Sequence, residues 1–406
     1  MLKDAWYDGG AGEHRHMADS RVKAEHQGKR KMFAHVFAQK TIAGLDPVVT
    51  RQTAVLVGEI DKIANTGEPI NIRRYLNYFT IDLISTLLYG KSLGCIERGD
   101  DIVDAETSDG KVYQVPFIKS LHNATHINTI LGFEASLLPY TKKIFSKHPY
   151  KMDGANYDNI VYHNTMKRYR AAKDDCESER DDFFQKLLFD SKGSPLNLNI
   201  GEILAECNVM LNAGSDTTAA ALTGTIYLLY KHPKVLAKLR EELDGVMGDT
   251  DVPQYNTISN LPYLRACIEE SLRCKPASTM GLPRVVPEGG RVIAGKFIRG
   301  GVTVSVPTYS LLHDPEAFEQ PEAFNPDRWI SGNKEKMAKA HLPFSTGPRA
   351  CIGRNIAYFE QLVLIATLVH CFDFELPAGD FELKTIERFN GNPDELIVGC
   401  RRRTRA

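Results

Sequence analysis

The chain has no CxxC pair among its eight cysteines, so neither a zinc ribbon nor a thioredoxin-like redox centre is expected. It also lacks an apolar run of membrane-spanning length. The nearest candidate, residues 203–230, carries Glu206, Asn208, Asn212, Ser215 and Asp216. Those groups are costly in lipid, and the run reads as a long helix buried in protein. Charge of either sign is not in excess: 25% of residues are charged and the formal balance is −1. That balance gives no electrostatic case for nucleic acid. The one like-charge block, RRRTR at 401–405, reads as a solvated tail. No secretory signal is evident, so disulfides are not the expectation, and most thiols are expected to fill the core. Repeats, low-complexity tracts and a flexible linker are lacking too, which points to one domain over residues 1–406.

What is present is mostly helical. Residues 19–38 open on Asp19–Ser20, good N-cap types, and place Val22, Met32, Phe33, Val36 and Phe37 at helical spacing. Residues 72–89 carry Ile81, Ile84, Leu87 and Leu88 on one side, with Gly90 as a stop. Residues 232–248 have Pro233 in the first turn and a stripe of Val235, Leu236, Leu239 and Leu243. Two further helices are predicted over 261–275 and 353–370. Strand-like text is confined mainly to 281–307, where short β-branched runs alternate with glycine pairs. Residues 314–343, rich in Pro, Asp and Glu, read as an ordered irregular segment.

Four features could carry chemistry. The first is FSTGPRACIG at 344–353. A lone cysteine at a loop–helix junction is usually a small buried hydrophobe. Here it sits in the pattern F-x-x-G-x-R-x-C-x-G, with Phe344, Gly347, Arg349, Cys351 and Gly353 in the specified places. Gly347 and Gly353 allow close backbone approach, Pro348 stiffens the turn, and the following helix would aim its positive end at the sulfur. The second is ACIEESLRCKP, where Glu270 and Arg273 share a helix face, with Arg328 in FNPDRW as a third member. An exposed pair of this kind contributes only a few tenths of a kcal/mol, whereas a buried one needs further partners. The third is NAGSDTTAA at 212–220, small and polar residues in the middle of an apolar helix. They mark either a tight helix crossing or a groove that admits ligand or water. The fourth is EHQGKRK, which puts His26 and Arg30 four apart on one face, suited to holding carboxylates or simply solvated.

In this order the four features resemble the cytochrome P450 family of heme-thiolate monooxygenases, from about residue 19 onward. GLPRVVPEGG, AGxDTT and FNPDRW look most like fungal microsomal members, with a looser similarity to benzoate para-hydroxylases and secondary-metabolite oxygenases. The resemblance implies a mostly α P450 fold with a small β portion. It implies heme b, with Cys351 as the axial iron ligand and His26, Arg30, Arg284 and Arg349 holding the propionates, while Phe344, Gly353 and Gly214 shape the cofactor site. Asp216 and Thr217 would deliver protons, Gly214 would leave room for O2, and Glu270, Arg273 and Arg328 would form a structural triad. Thr279, Met280, Leu282 and the turn FNGNP (389–393) would line the pocket of a small hydrophobic or aromatic substrate. One oxygen atom of O2 would be inserted, with electrons from NADPH through cytochrome P450 reductase or cytochrome b5, since no dinucleotide fingerprint occurs here. Lys23, Lys29, Lys31 and Arg354 would suit that docking.

The same resemblance implies localisation at the endoplasmic reticulum membrane and a chain that starts late. Microsomal members carry an anchor, a proline-rich hinge, a first helix and opening strands ahead of the helix at 19–38. Residues 1–18 are then the remnant of a loop, and the strands of 281–307 are expected to lack sheet partners and expose an apolar edge. Two other readings stay open: a heme-thiolate isomerase or dehydratase, disfavoured by Asp216–Thr217, and a non-catalytic heme-binding relic.

Overall fold

The computed structural model describes residues 1–38, 41–42, 44–173, 182–190 and 192–404; Cys176 and Arg405 lie outside them. The nine longer helices among the described residues are α1 (Lys23–Phe33), α2 (Asp46–Thr66), α3 (Ile72–Tyr89), α4 (Phe117–Gly132), α5 (Pro149–Lys173), α6 (Ile200–Lys231), α7 (Pro233–Met247), α8 (Pro262–Cys274) and α9 (Arg354–Cys371). The long polar-interrupted run thus forms one helix, α6, and the helices predicted at 72–89, 232–248, 261–275 and 353–370 form within a residue or two. A capping box starts α6: the Asn199 side chain accepts from the Glu202 amide at 2.9 Å and the Glu202 carboxylate accepts from the Asn199 amide at 3.0 Å. Helix α6 packs against α3, α5, α8 and α9, and from Thr218 to Leu229 its residues are buried without interruption. It is the axis around which the core is arranged.

The β portion is small and scattered. Strands β1 (Leu2–Lys3), β5 (Arg284–Val285) and β8 (Thr303–Val304) form one sheet in the order β1-β5-β8. Strands β2 (Ile70–Asn71), β12 (Ile397–Arg402) and β9 (Phe372–Glu375) form another. Three hairpins complete the set: β3 (Ile102–Glu106) with β4 (Val112–Pro116), β6 (Arg291–Ile293) with β7 (Lys296–Ile298), and β10 (Thr385–Glu387) with β11 (Gly391–Pro393).

Several sequence expectations change. Helix α1 is shorter than 19–38, because the Ser20 hydroxyl bonds the Glu25 carboxylate at 2.7 Å instead of capping, and Val22 takes the N-cap position. The strands of 281–307 are not without partners: β1 pairs β5, with Leu2 opposite Val285 and Lys3 opposite Arg284. An exposed apolar face does occur on the β6–β7 hairpin, where the cross-strand partners Val292 and Phe297 are each 64% exposed. The hairpin 102–116 was not anticipated, nor were the short helices at 328–331 and 334–340 inside the segment read as irregular. The arginine block is not a solvated tail. Arg401 and Arg402 belong to β12, Arg402 bonds Asp61 at 3.0 Å, and Arg403 bonds Asp244 at 2.6 Å.

Residues 1–18 are likewise more than loop. Asp4 caps a short 3-10 turn at Ala5–Gly9 by accepting from the Trp6 amide at 2.8 Å. The Trp6 indole is 6% exposed, donates to the Thr129 carbonyl at 3.1 Å and stacks on Phe389 at 5.7 Å between centroids. Burial of one indole between α4 and the β10–β11 turn therefore fixes the segment. Trp6→Ala is expected to cost about 3–5 kcal/mol, read as a fall in the denaturant midpoint. An unchanged midpoint would show that the segment contributes nothing to the fold.

Candidate active site

The loop before α9 holds its cysteine in the open. Of the described cysteines, Cys95, Cys207, Cys267 and Cys371 are buried, Cys274 and Cys400 are half-buried, and Cys351 is exposed. A sharp bend presents it: Ser345 lies at φ +59° and Gly347 at φ +75°, a left-handed conformation that a glycine adopts at little cost. The Cys351 amide donates to the Phe344 carbonyl at 3.0 Å and closes the loop, while the Phe344 ring rests on Tyr358 at 5.0 Å. Desolvation by the surrounding protein nevertheless pushes its thiol pKa up. The amides of Gly353 and Arg354, with the charges of Arg30 and Arg354, pull the other way. An accessible sulfur that accepts from two amides at the start of a helix is a soft donor suited to a metal ion.

A group of cations surrounds this loop. Arg30 of α1 donates to the Ala350 carbonyl at 2.7 Å, and Arg349 donates to the Ser20 carbonyl at 2.6 Å, so α1 and the cysteine loop hold each other. Arg284 on β5 donates to the Tyr7 hydroxyl at 2.8 Å. His26 is buried, and its pKa is lowered to about 4, first by burial and then by Arg349, Lys3 and Arg30. Burial and Arg284 lower the pKa of Arg349 as well. Among the described residues, no ion pair to a carboxylate is found for His26, Arg30, Arg284 or Arg349. Arginines that repel one another and form no ion pair among the described residues, beside a neutral imidazole, make a site suited to anionic groups such as a pair of carboxylates. Together with the exposed thiol, this donor set fits a heme.

The carboxylate–arginine triad is assembled and buried. Both Glu270 oxygens accept from Arg273 at 2.9 Å; Arg328 bonds Oε1 at 3.0 Å, Trp329 bonds Oε2 at 2.9 Å, and the Asn325 amide adds a further bond to Oε1 at 2.9 Å. Arg273 turns its remaining donors to the carbonyls of Leu312, Pro321 and Ala323. Glu270→Ala would leave two buried guanidiniums without a counter-charge and is expected to cost about 3–5 kcal/mol in a denaturant titration. A loss below ~1 kcal/mol would mean that the cluster is not a support of the fold.

The polar stretch of α6 behaves differently from expectation. Asp216 is 2% exposed, and its carboxylate accepts from His122 at 2.8 Å, Asn392 at 2.6 Å, Asn390 at 3.1 Å and Arg73 at 3.4 Å. Burial alone would raise its pKa, but His122, Arg73 and Asn392 together hold it well below the usual carboxylate range. With all four donors turned to it, the arrangement favours the ionised carboxylate. The Thr217 hydroxyl bonds back to the Ala213 carbonyl at 2.7 Å. Gly214 does not open space either: a Cβ there would lie 2.6 Å from Ile84, so the glycine permits α6 to cross α3 closely. For the substrate-lining set, Thr279 bonds Glu387, its carbonyl accepts from the Tyr309 amide, and Gly391 donates to the Ala277 carbonyl. The segment 277–282, with Met280 and Leu282 half-buried, thus lies against the β10–β11 hairpin. Of the basic docking set, Lys23, Lys31 and Arg354 are exposed, whereas Lys29 is taken up by Glu206 at 2.8 Å.

Sequence reasoning missed Tyr7, Arg73, His122 and Glu360. The Glu360 carboxyl bonds Thr218 and is raised to about 8 by burial. Asn390 and Asn392 were noticed as part of a substrate turn, not as partners of Asp216. A groove of about 480 Å³ lies elsewhere, between α3, α5 and the β3–β4 hairpin, and contains none of these residues. Because the folded-state pKa of Asp216 is depressed, its stabilisation is present above the unfolded value near 4 and lost as pH falls below it. Asp216→Asn is therefore expected to destabilise equally from about pH 5 to 8, with the difference shrinking in acid. A difference that grows toward low pH would contradict the ionised network.

An α-rich body with five small sheets, wrapped around one long helix and presenting a cysteine before another, defines a recognisable class. A family model described as Cytochrome P450 matches residues 1–397, and the chain belongs to that family. It is 30% identical over 420 residues to the benzoate 4-monooxygenase bphA of Aspergillus niger, covering 99% of this chain and 80% of that protein. It is 28% identical to the cytochrome P450 monooxygenase aba2 of Botryotinia fuckeliana, covering 86% of this chain and 65% of that protein. Among solved structures it resembles the cytochrome P450DA heme domain, with a TM-score of 0.80, 22% identity, and coverage of 99% of this chain and 84% of that one. A second cytochrome P450, CYP102L1, gives a TM-score of 0.78 at 20% identity and covers 99% and 85%. The chain is thus a P450 monooxygenase, an oxidoreductase class that incorporates molecular oxygen and carries heme on a cysteine thiolate. No helix among the described residues is long and apolar enough to cross a membrane.

Proposed function

We propose that residues 1–406 act as one domain that inserts one oxygen atom of O2 into a small aromatic or other hydrophobic substrate, in aromatic-acid oxidation or secondary metabolism. The observation that carries the reading is the exposed Cys351, held by two amides and bordered by arginines that form no ion pair among the described residues. Cys351 would ligate the heme iron, and His26, Arg30, Arg284 and Arg349 would hold the propionates. The bound heme supplies oxygen activation. The residues of the chain do the rest. The Gly353 and Arg354 amides temper the thiolate charge, and Arg30 and Arg349 fix the loop relative to α1. Thr217, half-exposed on α6, hands on protons taken from water, while Asp216 stays ionised and fixes the β10–β11 turn against α4. The segment 279–282 and that turn orient the substrate and exclude water.

Electrons come from NADPH through cytochrome P450 reductase, or cytochrome b5, docking on the exposed Lys23, Lys31 and Arg354, at the endoplasmic reticulum membrane. The bphA relative supports an aromatic acid as the substrate class, and the Botryotinia relative supports the wider monooxygenase reading. The test is the spectrum of the reduced protein bound to carbon monoxide. The wild type should show the thiolate-type Soret band and Cys351→Ala should abolish it while the fold persists. Folded, heme-loaded wild type without that band overturns the assignment.

A further inference from the structure

The groove of about 480 Å³ between the end of α3, the β3–β4 hairpin and α5 has no part in the heme reading, yet its walls are held in place. Arg98 ties the first wall to the second. It donates to the Leu93 carbonyl at 2.7 Å and to the Ile102 carbonyl at 3.0 Å, with Asp100 on its Nε at 3.2 Å. His163 of α5 joins the third wall, since the Glu106 carboxylate of β3 accepts from its Nδ1 at 3.0 Å. A preformed space of this size suits a small molecule.

Charge on the lining is unevenly met. Asp100 takes up Arg98, and Asp182 takes up Arg168 at 2.7 Å. Lys91 and Lys167 are exposed, and among the described residues neither forms an ion pair. The one described carboxylate lining the groove is Asp104, which also lacks an ion pair. Beneath the lysines Arg168 is 3% exposed, and its Nη1 finds no acceptor in the protein. A buried guanidinium donor in that position is costly until an acceptor reaches it. Leu93, Ile102 and Val103 line the same space, and Ile102 is left exposed. We propose that this groove binds a small organic acid, a carboxylate on an apolar body. The carboxylate lies between Lys91 and Lys167 and supplies the acceptor that Arg168 lacks, directly or through one bridging water. The apolar body covers Leu93 and Ile102. Asp104 opposes the anion and limits the affinity. The site is separate from the one at Cys351 and does not depend on the heme reading.

Fluorine NMR of para-fluorobenzoate added to the holoprotein tests this. The wild type should give a saturable signal with a millimolar dissociation constant, weakened by added salt. Lys167→Glu should weaken that binding about tenfold and Lys91→Ala about threefold, whereas Lys167→Arg should retain it. Asp104→Asn should tighten it, which loss of a merely structural contact would not do. Acetate, with the same charge and almost no apolar body, should compete at least about tenfold less well, and equal competition would overturn the apolar contacts. No saturable signal up to about 20 mM, or affinity unchanged in both Lys167→Glu and Lys91→Ala, would overturn the site. Entry of the probe beside Cys351 is read separately, from the Soret band, and the groove variants should leave that reading as in the wild type. Failure of the heme reading therefore shows in the Soret band, and failure of this inference in the fluorine signal.

Discussion

Everything near the site depends on burying one carboxylate. Taking Glu270 out of water costs several kcal/mol, and the cost is offset because every acceptor direction is used: two bonds from Arg273 and one each from Arg328, Trp329 and the Asn325 amide. Those donors come from α8 and from residues 325–329, so ionisation of one side chain fastens an irregular stretch to a helix. The neighbouring Glu269 extends the fastening to α9. It accepts from the Tyr358 hydroxyl at 2.8 Å and bonds Arg265 at 2.6 Å, and its carbonyl is bonded by His341. Two consecutive glutamates on α8 therefore fix the segment leading into the cysteine loop on one side and the helix leaving it on the other. A loop with residues at positive φ can hold a reactive sulfur in the open only if both of its ends are fixed in this way.

The electrostatic layout follows a similar division. Asp216, Glu270 and Asp82 are buried with several donors each, Asp82 accepting from the Cys95 and Ile96 amides at 3.0 and 2.9 Å. Among the described residues, Arg30, Arg284 and Arg349 form no ion pair with a carboxylate and bond neutral oxygens instead. A near-neutral chain therefore carries a locally positive site, only partly balanced by Asp19 and Glu25. Whole-chain charge could not reveal this; only the pairing does.

How much of this was legible in the sequence follows from the range of each interaction. Helices α3, α6, α7, α8 and α9 could be read because apolar periodicity, Gly90 and Pro233 act within a few residues. The Glu270–Arg273 pair and the Cys351 loop were legible for the same reason, being local in sequence. Short strands were not. β1, β5 and β8 span two residues each, too few to show an alternation. The partners of Asp216 come from α3, α4 and the β10–β11 hairpin, and no spacing rule links positions so far apart. Ser20 shows the limit even at short range, since Glu25 competed successfully for its hydroxyl.

The polar interruption in α6 offered two readings, a groove for a ligand or a tight crossing, and the geometry divides them by residue. Gly214 serves the crossing, because Ile84 occupies the place a Cβ would need. Asp216 turns away from that crossing to join α4 and the β10–β11 turn, while Thr217, one residue on, stays half-exposed with its hydroxyl on the helix backbone. A helical step of about 100° separates neighbours, so Gly214, Asp216 and Thr217 face three directions. The carboxylate organises the surroundings of the hydroxyl without sharing its exposure. A residue that looked like half of a proton relay serves in this fold as the fixed point against which the β10–β11 turn is set.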